Sequence, residues 1–154
     1  MRTAVVFPAL LLAAALLPGV STPAFAKKEA VYTGIVSGVA VGGYDPVSYF
    51  TDGKPVIGNP AITLEHGGAT WRFASEASRD VFKADPSKYA PQYGGYCAYA
   101  VSQGYTAKGD PTAWTVVGGK LYLNYNQSVK RDWDKSQSRY ITAADANWPK
   151  VLAK

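Results

Sequence analysis

The chain has 154 residues, one cysteine, one histidine and a formal net charge of +5 at pH 7. Its basic residues are scattered, with Lys27-Lys28 and Lys130-Arg131 the only adjacent pairs, which argues against the clustered surface of a nucleic-acid-binding protein. A single cysteine excludes an internal disulfide, so stability must come from a packed core, for which 11 Tyr, 5 Phe and 4 Trp are available.

The first 26 residues have the pattern of a secretory signal peptide. Arg2 precedes an apolar run from Ala4 to Leu17, and Ala24-Phe25-Ala26 provides a small-x-small cleavage motif. The run is shorter than the roughly 20 residues that span a bilayer. We therefore predict a cleaved signal peptide over residues 1–26 and a periplasmic or secreted protein without a stable membrane anchor.

The remaining residues predict one small α+β domain, and no internal repeat is apparent. Residues 27–43 are rich in glycine and small side chains, which predicts an extended lead-in before a domain at 44–154. Two β-rich runs flank Gly67-Gly68 and two more flank Gly118-Gly119, a pattern typical of β-hairpins.

Helices are predicted after each hairpin. Ser75 is a good N-cap for a helix that carries Ala77, Val81 and Phe82 at helical spacing and ends before Pro86. A second helix is predicted over 127–140. Thr142 is expected to begin a last helix, because Asp145 follows it at the spacing of a capping box.

Several segments resemble the YHS-domain family, in its small exported bacterial form. They are "GYDPVSYF", "GATWRFASEASRDVFKADPSKYAPQYGGYCAYAV", "GDPTAWTVVGGKLYLNYN" and "DANWP". The resemblance implies a compact core of hairpins and helices. It also implies metal binding, because relatives of this domain occur within copper-transporting ATPases and other metal-handling proteins.

The sequence departs from the cysteine-bearing members of that family at their thiol positions. Ser48, Ala74 and Ser78 stand where those members carry cysteines. Serine hydroxyls are weak ligands for soft metals and alanine has no donor, so a tetrahedral thiolate site is excluded. Any metal site must use other residues.

Cys97 is the one thiol available for such a site. If residues 96–103 form a short helix, Cys97, Ala100 and Val101 share an apolar face, and the cysteine packs as a small hydrophobe. The same position in the first turn of a helix lowers a thiol pKa, so Cys97 could instead ligate Cu(I), act as a nucleophile, be oxidised or form an intermolecular disulfide.

The remaining candidate ligands are a histidine and two aspartates. His66 lies at a predicted hairpin tip, where it is either an exposed loop residue or a second metal ligand beside Cys97. Asp45 and Asp110 precede prolines, where a carboxylate either caps local N–H groups or binds a harder metal.

Tyr93, Tyr96 and Tyr99 are spaced by three residues and would form one aromatic stripe on a helix. Such a stripe is either core packing or a surface that stacks a small molecule or a haem. Without a Cys-x-x-Cys-His motif, covalent haem attachment is excluded.

The sequence predicts a binding protein rather than an enzyme, because it contains no Gly-x-Ser-x-Gly, His-Glu-x-x-His or phosphate-cradling glycine motif. The first hypothesis is a copper or other soft-metal protein that uses Cys97 and His66. The alternatives are a small-molecule or haem binder built on the Tyr93–Tyr105 cluster, and a cofactor-free module that binds a protein partner.

Overall fold

The protein is described by a computed structural model, which places residues 27–154. The predicted signal peptide lies outside these residues. The described part is a single α+β domain with two separate two-stranded sheets, as predicted. Its strands are β1 (Asn59–His66), β2 (Ala69–Phe73), β3 (Asp110–Val117) and β4 (Lys120–Asn124). Its helices are α1 (Ser48–Thr51), α2 (Glu76–Ala84), α3 (Pro86–Tyr89), α4 (Ala98–Ser102), α5 (Gln127–Asp134) and α6 (Gln137–Val151).

Both predicted hairpins are confirmed, and glycine makes their turns possible. Gly67 and Gly68 have φ of 61° and 79°, and Gly118 and Gly119 have φ of 58° and 72°. Two consecutive positive φ angles match the twist of the flanking strands, and only glycine adopts them without strain. The Gly-Gly pairs therefore join β1 to β2 and β3 to β4 as antiparallel ribbons.

The two hairpins have the same register, which reveals an internal repeat that the sequence analysis missed. In the first sheet Asn59 pairs with Phe73, and the ladder resumes after a bulge with Thr63 opposite Arg72. In the second sheet Asp110 pairs with Asn124, and the ladder resumes after an equivalent bulge with Trp114 opposite Leu123. Strand lengths, bulge positions and turns are the same in both copies.

The helix that follows each hairpin extends the repeat. Ser75 caps α2 by accepting the N–H of Ser78 at 3.1 Å, which confirms the predicted N-cap. Asn126 caps α5 by accepting the N–H of Val129 at 2.9 Å. Phe82 of α2 and Trp133 of α5 are then fully buried at matching positions. Each copy thus places one large aromatic side chain beneath its own hairpin.

The second half of the chain corrects one helix boundary. Residues 127–140 do not form one helix, since α5 ends at Asp134 and α6 begins at Gln137. Thr142 lies within α6, where its hydroxyl donates to the carbonyl of Ser138 at 2.9 Å instead of capping a helix start. The capping-box prediction was wrong because α6 already begins at Gln137, directly after the turn that ends α5.

The lead-in segment packs against the domain. The backbone N–H of Tyr32 donates to the carbonyl of Gly94 at 2.9 Å, and that of Lys28 donates to Leu152 at 3.1 Å. Val39 and Val41 are buried. Residues 27–39 form no helix, and a 3₁₀ turn over Ala40–Gly43 leads into the first copy. No helix among residues 27–154 is both long and apolar enough to cross a membrane.

Candidate functional site

Cys97 lies at the start of α4 as its N-cap, rather than inside the helix as predicted. The apolar face is confirmed, because Cys97, Ala100 and Val101 are all buried. The sulfur accepts a long hydrogen bond from the N–H of Ala100 at 3.5 Å and donates to Oδ1 of Asn124 at 3.7 Å. Burial raises the pKa of the Cys97 thiol, although N–H groups of Ala100, Tyr125 and Tyr99 act in the opposite direction.

The Cys97 side chain also borders a cavity that opens to solvent. This cavity, the Cys97 cavity, has a volume of about 290 Å³. Most of its wall is apolar or aromatic, and Tyr105 and Tyr125 are partly exposed to solvent. It is lined by Cys97, Tyr99, Ala100, Tyr105, Ala107, Tyr125 and Val129. The cysteine is therefore a buried residue, only 1% exposed, whose side chain borders the wall of this cavity.

His66 is placed against a different part of the molecule. It ends β1, and its ring packs edge-on against Phe82 at 5.9 Å and near Trp71 at 6.5 Å between centroids. Its side chain is absent from the Cys97 cavity, and no described contact joins it to Cys97. Within residues 27–154, no three His, Cys, Asp or Glu side chains are grouped closely enough to hold a metal ion.

Tyr93, Tyr96 and Tyr99 do not form one helical stripe. Tyr93 has φ of 56° inside a 3₁₀ turn, Tyr96 is extended, and only Tyr99 belongs to α4. Tyr93 donates to the Asp145 carboxylate at 2.7 Å, and Tyr96 donates to the Glu29 carbonyl at 2.9 Å. The helix-spacing argument failed because the Gly94-Gly95 turn redirects the chain between these residues.

The three tyrosines also differ in their surroundings. Tyr93 and Tyr96 are buried in a hydrophobic cluster that also contains Tyr122 and Trp133, with Trp148 about 6 Å from each. Tyr99 packs on Tyr140 at 5.1 Å and is the one member that also lines the Cys97 cavity. Of the three tyrosines predicted to bind a ligand, only Tyr99 therefore lines the Cys97 cavity.

A second cavity surrounds Asp45 and is lined by the three residues that stand where cysteine-bearing relatives have cysteines. This Asp45 cavity has a volume of about 250 Å³. Ser48, Ala74 and Ser78 all line it, together with Ala77 and Val81. Of the apolar face predicted for α2, only Phe82 reaches the core, since Ala77 and Val81 are exposed beside this cavity.

Asp45 is a structural anchor in its cavity. Its side chain is only 2% exposed. One carboxylate oxygen accepts the N–H of Val47 at 2.9 Å, and the other accepts the N–H of Ala74 at 2.9 Å and the hydroxyl of Ser78 at 2.6 Å. The carboxylate thus ties the loop before α1 to the start of α2. These residues do not fit a soft-metal site, because the cavity holds no thiol and the carboxylate already has three donors.

Asp110 shows the same capping behaviour in a simpler form. Its Oδ1 accepts the N–H and the hydroxyl of Thr112, both at 2.8 Å. Asn59, at the matching position of the first copy, accepts the N–H of Ala61 at 2.9 Å. In the structure, both Asp45 and Asp110 therefore cap local N–H groups, which is one of the two roles considered for them from the sequence.

Asn124 is a site residue that the sequence analysis did not single out. It is fully buried at the end of β4, and its Oδ1 accepts the N–H of Tyr99 at 3.1 Å in addition to contacting the Cys97 thiol. Its Nδ2 has no hydrogen-bond partner within the described residues. Asparagine is uncommon at a fully buried strand position, which was the available signal.

Comparison with known proteins agrees with the first half of this architecture. The family model of the YHS domain matches residues 47–93, which span α1 to the turn before Gly94. No curated protein and no solved structure matches the chain. The match supports YHS-domain family membership for residues 47–93, and this family is associated with metal binding.

Proposed function

We propose that this YHS-domain protein is an exported, non-enzymatic binding protein that holds a small, mainly apolar molecule in the Cys97 cavity. The observation that carries the proposal is the cavity itself, about 290 Å³ in volume and bordered by three tyrosines and one thiol. Small-molecule sites are concave and mostly apolar, with a few polar groups that orient the ligand. Here the polar groups are the thiol and the tyrosine hydroxyls.

The size of the cavity defines the ligand class. Its volume is just below the range of about 300–1,000 Å³ that is usual for small-molecule sites. A single-ring aromatic or a short branched aliphatic compound is of suitable size, whereas a haem macrocycle is too large to be enclosed. Tyrosine rings provide flat apolar surfaces for such a ligand.

A binding role also fits the chemistry of the thiol better than catalysis does. A nucleophilic cysteine acts as a thiolate and needs a neighbouring base or a lowered pKa. Burial raises the pKa of Cys97, and its described side-chain neighbour is the neutral amide of Asn124. The neutral thiol is instead a weakly polar contact for an apolar ligand.

The test is a titration of the protein with small probes such as indole and p-cresol, followed by amide chemical shifts. We expect saturable shifts at Tyr99, Ala100 and Tyr125. Val129→Phe fills the cavity and should abolish them. Val81→Phe is the matched control, since it makes the same change at the Asp45 cavity. Shifts that survive Val129→Phe, or that appear only near Val81, would refute the proposal.

A soft metal such as Cu(I) is the second candidate ligand. It is considered because Cys97 is the only thiol in the chain and borders a cavity, and a soft metal displaces the proton of the thiol that binds it. The cavity offers one soft ligand, so the coordination would be completed by a donor from solution or from a partner protein. His66 packs elsewhere and is not expected to take part.

Metal binding is tested by titration with Cu(I) under reducing conditions, with Cys97→Ser and His66→Ala as variants. Loss of binding in Cys97→Ser with retention in His66→Ala would support a site with one protein thiolate. Equal binding by the parent and Cys97→Ser would end the metal hypothesis. Loss in both variants would restore the pair predicted from sequence.

A further inference from the structure

We propose that residues 93–134 are a second copy of the YHS binding unit, and that the Cys97 cavity is the binding site of this copy. In the first copy an aspartate holds the site together, whereas in the second copy Asn124 has taken over that role. The thiol at the aspartate position is thereby released for contact with a ligand. The identity of that ligand rests on the proposed function, but the equivalence of the two sites does not.

The backbone before each site is the same. Val41 and Tyr93 are the two non-glycine residues with positive φ among those described, at 52° and 56°. Each is followed by a Gly-Gly pair, a tyrosine and then the site residue, Asp45 or Cys97. Such a conformation is strained for a side chain with a Cβ branch or a ring, so its occurrence twice in the same setting is strong evidence of duplication.

The site residues are then anchored by matching backbone hydrogen bonds. The N–H of Asp45 donates to the carbonyl of Val56 at 2.8 Å, and the N–H of Cys97 donates to that of Ala107 at 2.9 Å. A short helix follows in each copy: α1 begins at Ser48, shortly after Asp45, and α4 begins at Ala98, next to Cys97. Cys97 therefore occupies the place of Asp45.

The walls of the two cavities correspond as well. The three positions where cysteine-bearing relatives carry thiols are Ser48, Ala74 and Ser78 in the Asp45 cavity. Their counterparts in the second copy all line the Cys97 cavity and are Ala100, Tyr125 and Val129. The cavities are thus two versions of one site, one lined by hydroxyls and a carboxylate and the other mainly apolar.

The hydrogen bonds show how the role of Asp45 was transferred. In the first copy the N–H of Val47 donates to the Asp45 carboxylate at 2.9 Å. Its counterpart in the second copy, the N–H of Tyr99, donates to Oδ1 of Asn124 at 3.1 Å. Asn124 stands where the first copy has Phe73, so a polar side chain replaced an aromatic one where the aspartate was lost.

This transfer explains why a cysteine is compatible with the position. The sulfur makes only long contacts, at 3.5 Å and 3.7 Å, so it is not needed as a strong acceptor. The side chain of Cys97, the single thiol of the chain, borders the cavity wall. We infer that the thiol is the group that the occupant of the second site meets.

The test is a double-mutant cycle that rebuilds the first-copy arrangement in the second copy. Cys97→Asp alone places a carboxylate beside Oδ1 of Asn124, and Asn124→Leu alone leaves the N–H of Tyr99 without its acceptor. Both single variants should lower the melting temperature. In the double variant the new aspartate can accept the N–H of Tyr99 as Asp45 accepts that of Val47, so its melting temperature should exceed that of either single variant.

A double variant that melts below both single variants would overturn the equivalence of the two sites, whatever ligand binds. If the double variant fails to fold, thiol labelling of the parent protein decides the role of Cys97. A small apolar reagent such as methyl methanethiosulfonate should then modify native Cys97 at a rate that is independent of urea below the unfolding transition. Modification only through global unfolding would overturn the functional role of the thiol, and a failed ligand titration would affect only the proposed function.

Discussion

The Asp45→Asn substitution tests whether a buried carboxylate holds the first copy together. The change preserves size and keeps one oxygen for the N–H of Val47. The new amide nitrogen replaces the oxygen that accepts the N–H of Ala74 and the hydroxyl of Ser78. The Ser78 hydroxyl can rotate away, but the backbone N–H cannot, so a donor faces a donor in a buried site.

The expected loss follows from these contacts. Hydrogen bonds to a charged group contribute about 1.5–3 kcal/mol each, and a buried donor left without a partner costs about 1–3 kcal/mol. With Ser78 free to reorient, we expect Asp45→Asn to lower the free energy of unfolding by about 3 kcal/mol. For a domain of this size the melting temperature should fall by roughly 10 °C.

Urea unfolding monitored by tryptophan fluorescence measures this loss, because Trp71 and Trp133 are fully buried. Asp110→Asn is the matched control, since Asp110 also precedes a proline but uses a single oxygen, which asparagine retains. We expect the control to stay within about 0.5 kcal/mol of the parent. If the two variants lose the same amount, the anchoring role of Asp45 is wrong.

Three further predictions concern the second copy. Gly118→Ala should lower the free energy of unfolding by about 1 kcal/mol, and Gly94→Ala should lower it by at least twice as much. Both glycines have positive φ, but only at Gly94 would a Cβ overlap the carbonyl of Ala30 in the lead-in segment. Equal losses in urea unfolding would show that the lead-in segment is not firmly docked. Tyr93→Phe should lose about 1.5 kcal/mol with the hydrogen bond to Asp145, and Asp145→Asn, which keeps an acceptor, should lose less. Burial raises the pKa of Cys97, so the folded state favours the neutral thiol. We therefore expect the free energy of unfolding of the parent, measured relative to that of Cys97→Ala, to be constant below the ordinary thiol pKa of about 8.5. Above that pH this relative stability should decline. A relative stability that increases over that range in urea titrations would contradict the buried position of the thiol.

Local features of the fold were open to prediction because they depend on residues that are neighbours in the chain. The Gly-Gly pairs supply the positive φ that each hairpin turn requires, Ser75 provides an N-cap oxygen, and Pro86 cannot continue the hydrogen bonds of α2. The YHS resemblance was also visible in the sequence, and the family model matches one continuous stretch, residues 47–93.

The separation of Cys97 from His66 could not be predicted, because it depends on which side chains each residue packs against in the folded protein. His66 packs on Phe82 in the first copy, whereas Cys97 contacts Asn124 in the second. The tyrosine stripe failed for a related reason, as a turn with positive φ at Tyr93 breaks the helical spacing that the pattern assumed.

The repeat was missed because only its turn residues recur in the sequence, as Gly-Gly-Tyr before each site residue and Gly-Gly in each hairpin, whereas the site residues differ. Asp45 corresponds to Cys97 in the second copy, and Phe73 corresponds to Asn124. A sequence alignment at these two positions therefore suggests no relation between the copies. A hydrogen-bond donor needs an acceptor in space, and the acceptor can come from residues distant in the chain. The sequence alone determined the turns, the helix caps and the family of the first half, whereas the tertiary structure decided which side chains share a cavity.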